Sequence, residues 1–374
     1  MGREMQMLRK NSLSQLPQVR ALGRHAGRDP LTLFWTASGI ELNFTGSELW
    51  VDFFADYEQV EPWVSVELNG VWLSRFAVNP GESRMCLLRG MTPGTAKHVR
   101  LLKDVQAMHD DPAHLLQITG LEYDGGDFLP LQEPQYRLEF IGDSITSGEG
   151  AIGAVSETDW VGDFFSAENN YARMTADALH AEYRCLSQSG WGIAAGWDND
   201  PRHILQPYYT KVCGVAAGER NAALGANQEN DFLSWRPDAV IFHLGTNDDG
   251  AFDNPAWIDP DTGESFQLRR LCSGDFCPED AQRVSDGVQS FLTLARERNP
   301  QAKLIWCIGM LGSRILPVLQ KGIAQYRDAS EDGSVWLVEL PAATAETMGA
   351  RQHPGVENHR EAAAVLTAFL KTVL

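Results

Sequence analysis

The chain has 374 residues, of which 43% are hydrophobic and 22% charged. That length predicts two domains, or three, and the composition is that of a globular protein with no stretch long and apolar enough to cross a bilayer as a helix. The formal charge of −19 argues against a nucleic-acid partner or an anionic membrane surface, because such a field repels phosphate, and leaves neutral substrates unaffected.

The acidic excess is uneven, with a net of −4 over residues 1–130 and −15 over 131–374. The opening run, MGREMQMLRKNSLSQLPQVR, has no apolar core of the kind a secretory signal needs. Gln6 stands where a lipidation signal starting at Gly2 requires Ser or Thr. The cytoplasm is therefore the expected location. Six cysteines fall at 86, 185, 213, 272, 277 and 307. The pair Cys272 and Cys277 fits neither a redox CxxC nor half of a zinc site, so six free thiols are expected.

Residues 30–125 carry the rhythm of β-strands. Ile40, Leu42 and Phe44 alternate with Glu41 and Asn43, and Leu49, Val51 and Phe53 alternate again after a Thr45-Gly46-Ser47 turn. Val64, Val66 and Leu68 repeat the pattern, and Asn69-Gly70 marks a hairpin before Val71-Trp72-Leu73. Further strands are predicted at Met85–Leu88, Val99–Lys103 and Leu115–Glu122. Many short strands with frequent turns predict a β-sandwich. Asp124 to Pro134, with two glycines and two prolines, reads as a linker. The predicted domains are thus 1–130 and 131–374.

From Arg137 short apolar runs alternate with helical patterns. Strands are predicted at Leu138–Ile141, Tyr183–Leu186, Ala239–Leu244, Leu304–Ile308 and Val335–Glu339. Helices are predicted at Tyr171–His180, Asp280–Arg298, Leu316–Tyr326 and His359–Leu374. This alternation predicts a parallel sheet covered by helices on both faces, with a site beyond the carboxyl ends of its strands.

The residues after those strands supply different parts of an acyl-transfer site. The first strand runs into Gly142-Asp143-Ser144-Ile145-Thr146, presenting Ser144 as a nucleophile whose own amide can face an oxyanion. An ordinary capping serine would look the same in isolation. The second strand leads to Ser189-Gly190-Trp191-Gly192, where glycine lets the backbone approach a ligand. The third ends in Gly245-Thr246-Asn247-Asp248. The amide of Asn247 is an oxyanion donor without a titrating proton. After the last strand comes Gln352-His353-Pro354-Gly355, and a loop His353 can act as general base. His359 reads as a helix-surface residue. Each signal is weak alone; together they supply nucleophile, two oxyanion donors and base.

These four blocks resemble the SGNH (GDSL) hydrolase superfamily over residues 137–374, most specifically in Phe140-Ile141-Gly142-Asp143-Ser144-Ile145-Thr146. The whole chain is similar to carbohydrate esterase family 2, through Leu22-Gly23-Arg24 and Phe34-Trp35-Thr36-Ala37-Ser38-Gly39-Ile40 as well. The resemblance implies an α/β protein. An N-terminal jelly-roll-like β-sandwich would precede a flavodoxin-like, three-layer α/β/α hydrolase domain. It also implies Ser144 as nucleophile and an oxyanion hole from the Ser144 and Gly190 amides and the Asn247 side chain. The implied reaction is removal of O-acetyl groups from xylan- or mannan-type carbohydrates, with no cofactor and no metal.

One position departs from the superfamily. Many members carry Asp three residues before the catalytic His, and here that residue is Ala350. The resemblance to carbohydrate esterase family 2 implies a Ser-His dyad with a main-chain carbonyl orienting His353. A carboxylate from Glu357 or Asp248 is the alternative. Glu149 reads as a solvated carboxylate at a helix start, or as a contact for sugar hydroxyls. Six acidic residues between 248 and 264 read as an exposed loop rather than a calcium site. Trp191, beside Gly190, is the first candidate for a sugar platform. Trp197 and Trp257 follow, and Trp306 and Trp336 are expected in the core. The competing functions are a lipase or thioesterase of the same superfamily and a non-catalytic carbohydrate-binding protein.

Overall fold

The computed structural model describes residues 8–374; Gly2 and Gln6 lie outside the described residues. The chain divides into two compact units. The first comprises residues up to Glu133 together with Val161–Asp163 and Thr210–Asn230, and the second comprises Pro134–Trp160, Phe164–Tyr209 and Asp231–Leu374.

The first unit holds two antiparallel sheets. One orders its strands Arg9–Asn11, Leu115–Tyr123, Glu48–Asp56 and Gly81–Arg89, with Leu31–Thr32 added beside Leu115–Tyr123. The other orders Phe128–Leu129, Gly39–Phe44, Lys97–Lys103, Trp63–Leu68 and Val71–Ala77, with Arg20–Leu22 beside Gly39–Phe44. Alternation decides which side chains go inward, because successive residues of a strand face opposite ways. Ile40, Leu42, Phe44, Val64 and Val66 from one sheet join Leu49, Val51, Phe53, Leu116 and Ile118 from the other in a single buried cluster. The hairpin at Asn69-Gly70 has φ of 53° and 80°, the pair of positive values that a type I′ turn requires.

The predicted linker is partly ordered into this unit. Phe128–Leu129 pairs with Asn43 and Phe44, and Asp124 accepts hydrogen bonds from the Ser47 backbone and hydroxyl at 2.7 and 2.6 Å. The segment Thr210–Asn230 is anchored within the unit by Trp35, whose indole donates to the Val212 carbonyl at 2.8 Å, and by Arg24 on the Lys211 carbonyl at 2.8 Å.

The second unit is built on five parallel strands: β1 (Tyr136–Gly142), β2 (Ala181–Ser187), β3 (Ala239–His243), β4 (Lys303–Ile308) and β5 (Val335–Glu339). Their order in the sheet is β2-β1-β3-β4-β5. All pairings are parallel. Strands β3 and β4 are nearly continuous apolar runs, as strands covered on both faces require, whereas β1 and β2 carry Arg137, Glu139, Glu182 and Arg184. Its helices are α1 (Ser144–Ser147), α2 (Tyr171–Ala178), α3 (Thr246–Ala251), α4 (Pro278–Arg298), α5 (Leu316–Ser330) and α6 (Val356–Val373). Helix α2 packs with α6 and α4 with α5. The sheet order changes direction beside β1, so the carboxyl ends of β1 and β3 open a crevice there. No helix among the described residues is long and apolar enough to cross a membrane.

Candidate active site

Ser144 is the first residue of α1, directly after β1. The helix cap is not Ser144 but Asp143, whose Oδ1 accepts the Ile145 N–H at 3.0 Å. The hydroxyl of Ser144 is thereby released from capping. Asp143 is fully buried, and desolvation pushes its carboxyl up to about 7 against the backbone N–H groups that favour the charge. It holds the turn without touching His353.

His353 follows a tight turn at Ala350–Gln352. Its Nε2 lies 2.8 Å from Ser144 Oγ, and its Nδ1 lies 2.8 Å from the Arg351 carbonyl. A carbonyl can only accept, so Nδ1 carries the proton and Nε2 is the free acceptor facing the serine. Arg351 and Gln352 both adopt left-handed backbone, each with φ of 56°. Such a conformation is uncommon outside glycine, and here it turns the Arg351 carbonyl back onto the ring. The proposed alternatives for an acid lie elsewhere. Glu357 pairs with Arg360 on the exposed side of α6, and Asp248 is buried under the N–H groups of Ile193 and Ala194, at 2.8 Å each. Burial pushes Asp248 up to about 6.

Ser144 and His353 share a cavity of about 320 Å³ with Gly190, Asn247, Ser189, Glu149, Trp160, Trp197 and Arg351. Gly190 has φ of 79°, and a Cβ there would meet Trp197 at 2.9 Å, so the position demands glycine. Asn247 donates one amide N–H to the Trp191 carbonyl at 2.9 Å. That bond orients the side chain and leaves a second N–H on an amide that lines the cavity. Asp248 buttresses the same region through Ile193 and Ala194, just past Gly190.

Several residues stand where the sequence did not put them. Trp191 is 3% exposed and stacks on His203 with ring centroids 5.4 Å apart; it does not line the cavity. The exposed indole at the cavity is Trp197, 55% accessible. Trp257 stacks instead under the Arg202 guanidinium, and Trp306 is in the core as expected, stacked on Phe242. His359 is buried, not on the surface: its Nδ1 accepts the Tyr171 N–H at 3.1 Å. Glu149 is also buried, bonded to Arg351 Nε at 2.9 Å and Trp160 Nε1 at 3.3 Å.

The acidic run is largely spent on internal partners. Asp249 and Asp253 both pair with Arg270 and Arg314. Among the described residues no group of three or more His, Cys, Asp or Glu is arranged to hold a metal. All six cysteines are free thiols.

A family model for the GDSL-like lipase/acylhydrolase family matches residues 140–363. The chain is 43% identical to an acetyl xylan esterase, Est2A, from the rumen bacterium Butyrivibrio proteoclasticus, with 98% of each chain covered and a TM-score of 0.96. It is 26% identical over 349 residues to the cellulase/esterase CelE of Acetivibrio thermocellus, covering 91% of this chain. It is 24% identical over 237 residues, 62% of this chain, to an acetylxylan esterase/glucomannan deacetylase of Cellvibrio japonicus. The chain spans 37% and 62% of the length of those two curated relatives. With that family match over more than half its length, the chain belongs to the GDSL-like lipase/acylhydrolase family.

Proposed function

We propose that the protein is a serine esterase that removes O-acetyl groups from xylan- or mannan-type carbohydrates. The observation that carries this reading is the contact of 2.8 Å between Ser144 Oγ and His353 Nε2, with Nδ1 held on a main-chain carbonyl. His353 takes the serine proton as Ser144 attacks the acetyl carbonyl. The amides of Ser144 and Gly190 and the side chain of Asn247 receive the negative oxygen. The protonated imidazole then gives its proton to the departing sugar oxygen. Water, deprotonated by His353, attacks the acetyl-serine, releasing acetate and restoring the hydroxyl. No step needs a cofactor.

The Arg351 carbonyl performs one of the two tasks of a triad acid: it fixes the tautomer. Trp197, exposed at the cavity, offers a face for a sugar ring. Names of relatives that include acetyl xylan esterase and glucomannan deacetylase support the substrate class. The two antiparallel sheets with one shared core read as a jelly-roll-like sandwich, and the order β2-β1-β3-β4-β5 as a flavodoxin-like domain.

The test is acetate release from acetylated xylan, mannan and their oligosaccharides, beside a comparison of 4-nitrophenyl acetate with the octanoyl ester. Acetate release and a preference for acetyl support the reading. A preference for octanoyl with no release from carbohydrate would replace it with a lipase or thioesterase.

A further inference from the structure

Glu149 has no part in the scheme above, yet it is 2% exposed and sits two residues past the end of the nucleophile's helix. Its backbone N–H donates to the Ser144 carbonyl at 3.0 Å. Oε1 accepts from Arg351 Nε at 2.9 Å and Oε2 from Trp160 Nε1 at 3.3 Å. The same Oε1 is 3.9 Å from His353 Nε2, the nitrogen that holds the serine. A buried carboxylate is costly unless paired, and this one is paired with the residue whose carbonyl orients the histidine.

Arg351 is tied down at three points. Its N–H donates to the Glu157 carbonyl at 2.8 Å, Nη1 to the Thr158 carbonyl at 2.7 Å, and Nε to Glu149. Those bonds hold a left-handed residue, φ 56°, in the one orientation that presents its carbonyl to Nδ1. His353 therefore has a neutral acceptor behind it and a carboxylate beside its working nitrogen.

We propose that Glu149 and Arg351 form a positioning pair that stands in for the absent triad acid. Arg351 holds the carbonyl that fixes the tautomer, and Glu149 supplies the negative charge that stabilises the imidazolium. The proposal rests on the acyl-transfer reading of Ser144 and His353. When the proton moves from Ser144 Oγ to Nε2 the ring becomes a cation, and its attraction to Glu149 appears only then. An interaction that strengthens only toward the transition state raises kcat rather than lowering KM. The Arg351 guanidinium offsets part of that field. His359, the neighbouring histidine that feels the His353 charge, is kept neutral by burial. Among the described residues, Glu149 is the carboxylate within ion-pair distance of His353.

The test uses the full chain with Glu149→Gln, Glu149→Asp and Arg351→Met. One readout is the pH profile of kcat/KM on 4-nitrophenyl acetate. The other is NMR titration of the His353 ring, each variant being combined with Ser144→Ala. Glu149→Gln is expected to lower kcat with little change in KM, and, by removing the carboxylate 3.9 Å from Nε2, to move the acid limb and the ring titration down. Glu149→Asp returns both toward wild type, and Arg351→Met, which removes the offsetting cation, moves them up. Values that stay in the wild-type place in Glu149→Gln, or that move the same way in Glu149→Gln and Arg351→Met, overturn the proposal whatever happens to kcat. If Glu149→Gln does not fold, Glu149→Asp and Arg351→Met decide: no upward shift in Arg351→Met overturns it. The ring titration needs no turnover. Wild-type hydrolysis by Ser144→Ala would therefore sink the acyl-transfer reading alone, and the titration would still judge the pair.

Discussion

Replacing Gly150 by Ala tests how tightly the histidine's turn is latched to the nucleophile's turn. Gly150 has φ of 69°, and its carbonyl accepts the Ala350 N–H at 3.1 Å. A Cβ at Gly150 would stand 2.3 Å from the Ala350 carbonyl oxygen and 2.6 Å from His353 Cβ, where ordinary contact begins near 3.4 Å. Both obstacles are on the histidine's side, so that segment must retreat by about 1 Å. The Ser144–His353 contact of 2.8 Å then passes beyond hydrogen-bonding distance. A misplacement of about 1 Å costs roughly 10²-fold in rate, and the left-handed backbone adds about 1–2 kcal/mol of strain to the folded state. The assay is kcat on 4-nitrophenyl acetate, with urea unfolding for stability and Gly333→Ala as control, since a Cβ at Gly333 meets nothing within 4 Å. Wild-type kcat in Gly150→Ala with an unchanged fold would show that the two turns are not latched.

Asn247→Ala should lower kcat by about 10²–10³ with a smaller change in KM, as other oxyanion donors do; an equal loss in both parameters would assign the side chain to substrate binding. Trp197→Ala should raise KM on acetylated oligosaccharide several-fold, the weight of a ring contact of about 0.5–1.5 kcal/mol, and leave 4-nitrophenyl acetate untouched. Stability should also respond to pH through His359. Burial lowers its pKa to about 3, below the unfolded value, so its contribution is complete above about pH 6.5 and is lost as pH falls toward 3. His243, lowered to about 4, acts the same way, whereas Asp143 and Asp248, raised to about 7 and 6, act oppositely and flatten the total between about pH 4 and 6. Removing one histidine unmasks the effect. The stability gap between wild type and His359→Gln in urea should shrink by about 2–3 kcal/mol from pH ~7 to pH ~4.5, and an unchanged gap would contradict it.

Strand rhythm was the most legible feature of the chain. The alternation of Ile40, Leu42 and Phe44 sends those three into the core of the first unit, and the apolar runs after Arg137 form the parallel sheet within a residue or two of their predicted ends. What could not be read was long-range pairing. Nothing local in Thr210–Asn230 says that it joins the first unit, and Glu149 meets Arg351 across 202 positions. His359 was legible and misread. Ala362, Ala363, Leu366 and Leu370 are buried on one face of α6, and that stripe, continued back by one turn, reaches His359. Trp191 failed for a different reason: adjacency to Gly190 does not fix which way a side chain points, and the indole lies inward on His203.

In the proposed reaction the acyl group passes through Ser144 with His353 as its base. Rapid quenching during turnover of 4-nitrophenyl acetate, followed by peptide mass analysis, tests it most directly. The expected result is an acetyl adduct on the peptide bearing Ser144, absent in Ser144→Ala, which also loses hydrolysis while keeping its fold. An adduct at another residue, or wild-type turnover by Ser144→Ala, would contradict it.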